Sequence, residues 1–272
     1  MAHPQIAVFA RLADGNTPPV RKIEGQATKL GRTMHSISYD AVNDEFLVTQ
    51  PFSQAVLVFR GDASGEVAPV RTIQGPLTRL EDPDKADVDP VHNEIIVPDG
   101  DKLLVYPRTA DGNVAPLRVI EGPNTMLGAE AAGVDPINNI IAVTGFAGRR
   151  ENGDSFILVF NRTDNGNARP RGVIRGPRTG INGTFGIRTY PPKGWILLAN
   201  SGPSYSLDYD GSFVGVWGFR DNGNVPPRWT IGGPFQLLKQ PRGMDVDVAN
   251  KTILISDKRL NAVLTYSFPE IF

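Results

Sequence analysis

Cysteine is absent from the 272-residue chain. The protein therefore has no disulfide, no thiolate metal site and no cysteine nucleophile. No apolar run approaches the ~18 residues that a membrane-spanning helix needs, so we expect no membrane span. The net charge is also small, because 28 basic residues are balanced by 29 acidic ones. Such a chain lacks the positive field that attracts nucleic acid, and we expect no nucleic-acid partner.

No segment has a sustained helical period of apolar residues, which predicts an all-β chain. Glycine and proline are frequent instead, with 29 and 23 residues. Both residue types favour turns, and short apolar runs lie between them, so the sequence predicts short strands joined by tight turns. We expect a single domain over residues 1–272, since this length suits one large all-β domain.

An internal repeat of roughly 50 residues organises the chain. Each unit has an Ile-x-Gly motif, a proline four residues before the isoleucine, and a turn glycine four residues before that proline. The isoleucines of the five motifs are Ile23, Ile73, Ile120, Ile174 and Ile231. Four strands fit each unit, and we name them A to D from the inner to the outer edge. The C–D turns are nearly copies of one another, which indicates a structural role.

Four-stranded repeats of this length predict a β-propeller. The C run occurs six times, whereas the A, B and D runs occur five times each. Five inner strands favour five blades, and we expect the N-terminal D run, residues 20–23, to close the ring by joining the C-terminal blade. The C run at residues 6–9 is then surplus. It leaves six blades as an alternative, or it pairs with a neighbouring chain as an added strand.

The repeat resembles NHL-type repeats over about residues 6–266. The resemblance rests on Gly-x-x-x-Pro-x-Arg-x-Ile-x-Gly-Pro, a form found in bacterial members, followed by Gly-x-x-x-Asp and Asn-x-x-Ile-x-Val. It implies a propeller, usually of six blades, and it specifies fold far better than function. One unit departs from the pattern, where Arg188-Thr189-Tyr190 replaces the usual Val-Asp ending of strand A.

A functional site is expected on the face that carries the D–A and B–C loops. Two B–C loops, 145–155 and 200–212, are long, and insertions in repeat proteins cluster on the binding face. Two columns of the repeat reach the channel mouth on this face and differ chemically between blades, either as a site or as freely varying rim positions. The residues before strand A are His35, Asp84, Glu130, Phe185 and Arg242. The residues after strand B are Gln50, Asp99, Gly145, Asn200 and Asp257.

A metal site is one interpretation of these columns. The architecture distantly resembles gluconolactonase-type propellers, which hold a divalent cation at the channel mouth with Glu, Asn and Asp. The resemblance implies Ca²⁺ or Mg²⁺ as cofactor and a metal-dependent hydrolase or lyase acting on a lactone or ester. The implied ligands are Asp99, Glu130, Asn200 and Asp257. Lysine and arginine residues nearby would compete with a cation.

A binding or scaffold function is the leading prediction, because the chain has neither a Gly-x-Ser-x-Gly elbow nor a phosphate-binding loop. The expected ligand is a protein, a glycan or a small molecule, and whether the protein is an enzyme stays open. Tyrosine and arginine favour binding surfaces, and His35 is the candidate general base. The predicted ligand-binding residues are Arg149, Arg150, Tyr205, Tyr209 and Arg242. The compartment is undetermined, and the abrupt start fits an exported bacterial protein without its signal peptide.

Overall fold

The structure, a computed structural model, describes residues 3–147, 154–202, 211–233 and 237–272. Within these residues it contains 21 β-strands, several short 3₁₀ turns and no α-helix. The strands build an all-β propeller of five antiparallel blades, and in each blade the strands lie side by side in chain order. No helix in the described part of the chain is long and apolar enough to cross a membrane.

The strands follow the predicted repeat. An N-terminal two-stranded sheet consists of β1 (Gln5–Val8) and β2 (Arg21–Glu24). Blade one contains β3 (Ser36–Asp40), β4 (Glu45–Gln50), β5 (Ala55–Arg60) and β6 (Arg71–Gln74). Blade two contains β7 (Asp87–Asp89), β8 (Glu94–Asp99), β9 (Lys102–Pro107) and β10 (Arg118–Glu121). Blade three contains β11 (Ala129–Asp135), β12 (Ile140–Phe146), β13 (Ser155–Asn161) and β14 (Gly172–Ile174). Blade four contains β15 (Thr184–Tyr190), β16 (Trp195–Asn200), β17 (Phe213–Gly218) and β18 (Trp229–Gly232), and blade five contains β19 (Pro241–Asp247), β20 (Thr252–Asp257) and β21 (Ala262–Ser267).

The Ile-x-Gly motif links successive sheets from the N-terminal sheet to blade four. In blade one, Ile73 forms a parallel bridge with Gly112, the turn glycine of blade two. The glycine of the same motif, Gly75, has a φ of +125°, and a Cβ there would lie 2.6 Å from Oδ1 of Asn113. That oxygen accepts the N–H of Leu77 at 2.8 Å. The repeated turn is therefore constrained by the contact between blades, which explains why it varies so little.

Apolar side chains fill the spaces between successive blades. The aromatic residue that ends each C run is fully buried in the four complete blades, and the four residues are Phe59, Tyr106, Phe160 and Trp217. Burying a large aromatic ring removes much apolar area from water, and this is the main stabilising contribution of the repeat. The predictions of an all-β chain and a β-propeller are confirmed.

The N-terminal strands differ from the prediction. Residues 20–23 do not complete the C-terminal blade, because β2 pairs with β1 in a register that places Ile6 opposite Ile23. The two strands are joined by residues 9–20, and Ile23 is also bridged to Gly65 of blade one, which links the hairpin to that blade. Among the described residues, β21 pairs only with β20, so blade five has three strands.

Candidate functional site

Three inner strands carry a β-bulge at the channel mouth. The pairing register shifts between residues 129 and 131 in β11, between 184 and 186 in β15, and between 241 and 243 in β19. A bulge takes one residue out of the ladder and redirects its side chain. The residues at the three shifts are Glu130, Phe185 and Arg242. These are three of the five positions that the repeat predicts before strand A, although the bulges themselves have no sequence signal.

His35, Asp84 and Lys85 form a charged cluster at the same mouth. Nδ1 of His35 lies 3.1 Å from Oδ1 of Asp84, and Nζ of Lys85 lies 2.8 Å from the same oxygen. Burial alone would raise the pKa of Asp84, but the charge of Lys85 and the hydrogen bond from His35 outweigh it and lower that pKa. Asp84 is thus an anion held by two neighbours. One ring nitrogen of His35, the predicted general base, is directed at Asp84.

Arg242 stacks on Phe185 across the gap between blades four and five. Its Cζ lies 3.5 Å from the ring centroid, and Nζ of Lys85 lies 5.7 Å from the same ring. Such a cation–π contact holds the guanidinium group over the ring. Glu130 is buried, and its Oε2 accepts a hydrogen bond from Oγ1 of Thr184 at 3.1 Å. The ring of Phe185 is therefore close to two positive charges at the mouth, those of Arg242 and Lys85.

Arg188 crosses the channel from blade four. Its Nη2 donates to the carbonyl oxygen of Ile37 in blade one at 3.1 Å, and its Nε lies 3.5 Å from Oδ1 of Asp245 in blade five. Burial raises the pKa of Asp87 in blade two, and the charge of Arg188 partly opposes that rise. One side chain therefore interacts with three other blades. The sequence marks Arg188 as a departure from the repeat but gives it no role.

Replacing Arg188 with methionine should make stability depend more strongly on pH. Without the guanidinium, the pKa of Asp87 should rise further. A carboxyl whose folded pKa lies above its unfolded value contributes stability below the unfolded pKa and loses it as pH rises through the folded pKa. The melting temperature of Arg188→Met should therefore fall further below wild type as the pH rises above about 4, the ordinary pKa of an aspartate. Adding Asp87→Asn should remove this trend, whereas a pH-independent difference would show that Arg188 acts through packing alone.

The mouth side chains line a cavity of about 710 Å³, which extends sideways to residues of β1, β20 and β21. Of the predicted site residues, it brings together His35 and Arg242. Four cationic side chains line it, namely Lys85, Arg188, Arg242 and Lys258. The two lining carboxylates, Asp84 and Asp245, are each engaged by a basic neighbour. Its electrostatic character is therefore positive.

Three predicted metal ligands accept hydrogen bonds from the backbone of the D–A loops. Asp99, Asn200 and Asp257 end the B strands of three blades, and each accepts backbone N–H groups of its own D–A loop. The donors are Glu81 and Asp82 for Asp99, Asn182 for Asn200, and Lys239 and Gln240 for Asp257. Burial raises the pKa of Asp99, although the two loop N–H groups oppose the rise. This column anchors the loops that form the mouth.

A Ca²⁺ or Mg²⁺ site stays a prediction. Within the described ranges, no group of three or more His, Asp or Glu side chains is placed to hold a metal ion. The remaining predicted ligand-binding residues lie outside the described residues. They are Arg149, Arg150, Tyr205 and Tyr209.

Comparison with known proteins identifies the fold alone. No protein-family model matches the sequence, and no curated protein matches it. A chain in the crystal structure of a nidogen/laminin complex is similar, with a TM-score of 0.61 and 13% identity over 86% of this chain and 76% of that chain. Hydrazine synthase of Kuenenia stuttgartiensis matches with a TM-score of 0.60 and 11% identity over 92% of this chain and 71% of that one. This chain is similar in structure to known propellers, and at such low identity no function follows.

Proposed function

We propose that this protein is a binding propeller that holds a small anionic ligand in the cavity at its channel mouth. The observation that carries the proposal is the excess of four cationic over two acidic side chains around about 710 Å³. Small-molecule sites typically have volumes of about 300–1,000 Å³. Guanidinium and ammonium groups form their strongest hydrogen bonds with carboxylate and phosphate oxygens. The ligand class is therefore a small molecule with a carboxylate or phosphate group.

Arg242 is the proposed anchor for that group. Its Cζ lies 3.5 Å from the centroid of the Phe185 ring, and this contact holds the charged group at the wall of the cavity. A side chain that is already oriented loses less conformational entropy when a ligand binds. Lys258 is exposed and lines the same cavity, so it supplies a second, more mobile charge.

The two sequence resemblances bear differently on this proposal, because one implies a binding module and the other implies an enzyme. An NHL-type propeller that presents a site at its channel mouth would act as a binding module. A gluconolactonase-type hydrolase or lyase would need a cation among these basic side chains, of which Arg242 precedes strand A in its own blade and Lys85 directly follows Asp84. Metal analysis of purified wild-type protein and Glu130→Gln, together with turnover of a lactone and ester panel, separates the two functions. Equal metal content and no turnover would favour binding alone.

Anion binding should depend on Arg242. We expect citrate, succinate or inorganic phosphate to raise the melting temperature, and a neutral sugar to leave it unchanged. Arg242→Gln should weaken binding by about tenfold or more in calorimetry, because a charge-assisted hydrogen bond is lost. Lys258→Gln should have a smaller effect, since exposed charges are screened by water and salt.

The matched control is Lys193→Gln, which removes an exposed lysine from an A–B turn on the opposite face. It should bind like wild type. Equal affinity of Arg242→Gln and wild type, or no response to any of the three anions at millimolar concentration, would overturn the proposal. Comparing citrate and succinate with phosphate identifies which oxyanion the site prefers.

A further inference from the structure

His35 is the cavity residue that can change its charge near neutral pH. Among the described residues that line the cavity, it alone has a side chain that ordinarily titrates between about pH 5 and about pH 8. Its Nδ1 is buried and lies 3.1 Å from Oδ1 of Asp84, whereas 34% of the side chain as a whole is exposed. A proton on His35 therefore adds a positive charge to the wall of the cavity.

Charged groups of both signs surround His35. Asp84 favours its protonated form, whereas Lys85 opposes that form and lies 2.8 Å from the same Asp84 oxygen. Although burial alone would raise the pKa of Asp84, the charge of Lys85 and the hydrogen bond from His35 lower it, so this carboxylate keeps its charge near neutral pH. The remaining charged side chains that line the cavity are Arg188, Arg242, Asp245 and Lys258. Because basic groups outnumber carboxylates, the cavity without an anionic ligand opposes a further positive charge.

A bound anion reverses this balance. Its negative charge would lie in the cavity that His35 lines, so it stabilises the protonated imidazole more than the neutral one. By thermodynamic reciprocity, protonation of His35 strengthens anion binding by the same factor. We infer that the site binds its anion together with a proton on His35, so that the affinity rises as the pH falls from about 8 to about 5.5. This inference rests on the proposed function and adds a pH control to it.

Asp87 is a second group whose titration could act on the cavity. Its carboxylate accepts hydrogen bonds from Oγ of Ser38 at 2.7 Å and from the N–H of Val134 at 2.9 Å. Burial raises the pKa of Asp87, and the charge of Arg188 partly opposes that rise. Ionisation of Asp87 at higher pH would offset the charge of Arg188, and it would therefore also weaken anion binding as the pH rises. Separate substitutions of Asp87 and His35 distinguish the two groups.

Sulfate is a suitable probe, because it keeps both of its negative charges across this pH range. Calorimetry in two buffers with different heats of ionisation measures the affinity and the number of protons taken up. Wild type should bind sulfate about tenfold more tightly at about pH 5.5 than at about pH 8, and it should take up about half a proton at the midpoint, since a tenfold effect corresponds to one pKa unit. His35→Gln should lose most of the pH dependence and of the proton uptake, whereas Asp87→Asn should retain both.

Proton NMR of the wild-type protein provides a test that needs no substitution at His35. The chain has three histidines, so their ring signals are few enough to resolve. Saturating sulfate should raise the titration midpoint of one imidazole by about one pH unit and leave those of the other two unchanged. His3→Gln and His92→Gln assign the signal of His35 by elimination.

The matched control is His92→Gln, because His92 also pairs with a carboxylate but lies in an A–B turn on the opposite face. Its Nδ1 lies 2.8 Å from Oδ2 of Asp89. This variant should keep the wild-type pH dependence. Equal affinity for sulfate at both pH values, or a pH dependence that persists in His35→Gln and disappears in Asp87→Asn or His92→Gln, would overturn the inference and leave the proposed function standing. No sulfate binding at either pH would overturn the proposed function as well.

Discussion

Gly145→Ala is expected to unfold the propeller. An added Cβ at this position in β12 would lie 1.8 Å from the carbonyl oxygen of Gly128 and 3.2 Å from Cα of Ala129. Both atoms belong to backbone next to the bulge that positions Glu130, so they cannot move aside as a side chain could. A clash of this kind belongs with the rare substitutions that cost more than ~4 kcal/mol. Urea denaturation followed by circular dichroism should show little or no folded protein.

Gly166→Ala is the matched control for this substitution. Gly166 lies in the C–D turn of the same blade, has a φ of +63°, and has open space where the Cβ would lie. Its replacement should cost only the left-handed strain of about 1–2 kcal/mol. If the two variants have the same denaturation midpoint, backbone contact at Gly145 does not limit stability.

The repeat predicts the blades and the residues that meet at the mouth. His35, Phe185 and Arg242 fall in one column of the sequence, and the structure places them around one cavity. This succeeds because every blade repeats the same inner strand, so equal positions in sequence become neighbours around the channel. Gly145 belongs to the second column, the residues after strand B, where the differences between blades resemble free variation. Close contact with the backbone of Gly128 and Ala129 nevertheless requires a glycine at this position.

Other features depend on contacts that no local pattern encodes. Arg188 is visible in the sequence as an exception, yet its partners Ile37 and Asp245 lie more than 50 residues away in other blades. The loop-binding role of Asp99 depends on where the D–A loop passes. The prediction that residues 20–23 join the C-terminal blade is wrong, because these residues pair with β1. Counting motifs does not distinguish between the two pairings.

A largely buried ion network joins blades two and three. Glu94 accepts two hydrogen bonds from Arg118, at 2.6 and 2.7 Å, and one from Arg162 of blade three at 2.8 Å. Burial alone would raise the pKa of Glu94, but the bonds from Arg118 and Arg162 outweigh it and lower that pKa. The contribution of Glu94 to stability is therefore present above its unfolded pKa and lost as pH falls through the folded pKa.

Glu94→Gln should destabilise the protein strongly at neutral pH. It leaves two guanidinium groups, 14% and 11% exposed, without their carboxylate. Removing one member of a buried ion network typically costs about 3–5 kcal/mol, and we expect the lower end because some water reaches this site. The difference from wild type should shrink at low pH, where Glu94 is protonated. Urea denaturation at two pH values measures both effects, and Glu121→Gln, in a surface pair, should cost under about 1 kcal/mol.

At the junction between blades three and four, apolar residues occupy the positions that carry the ion network between blades two and three. Its residues equivalent to Glu94, Arg118 and Arg162 are Ile140, Gly172 and Phe219, and Ile140 is buried in a cluster that includes Phe219. Copying them as Glu94→Ile, Arg118→Gly and Arg162→Phe should restore stability toward wild type, since apolar packing replaces buried ion networks at little net cost. A triple variant less stable than Glu94→Gln would show that the ions hold this junction in a way that packing cannot reproduce.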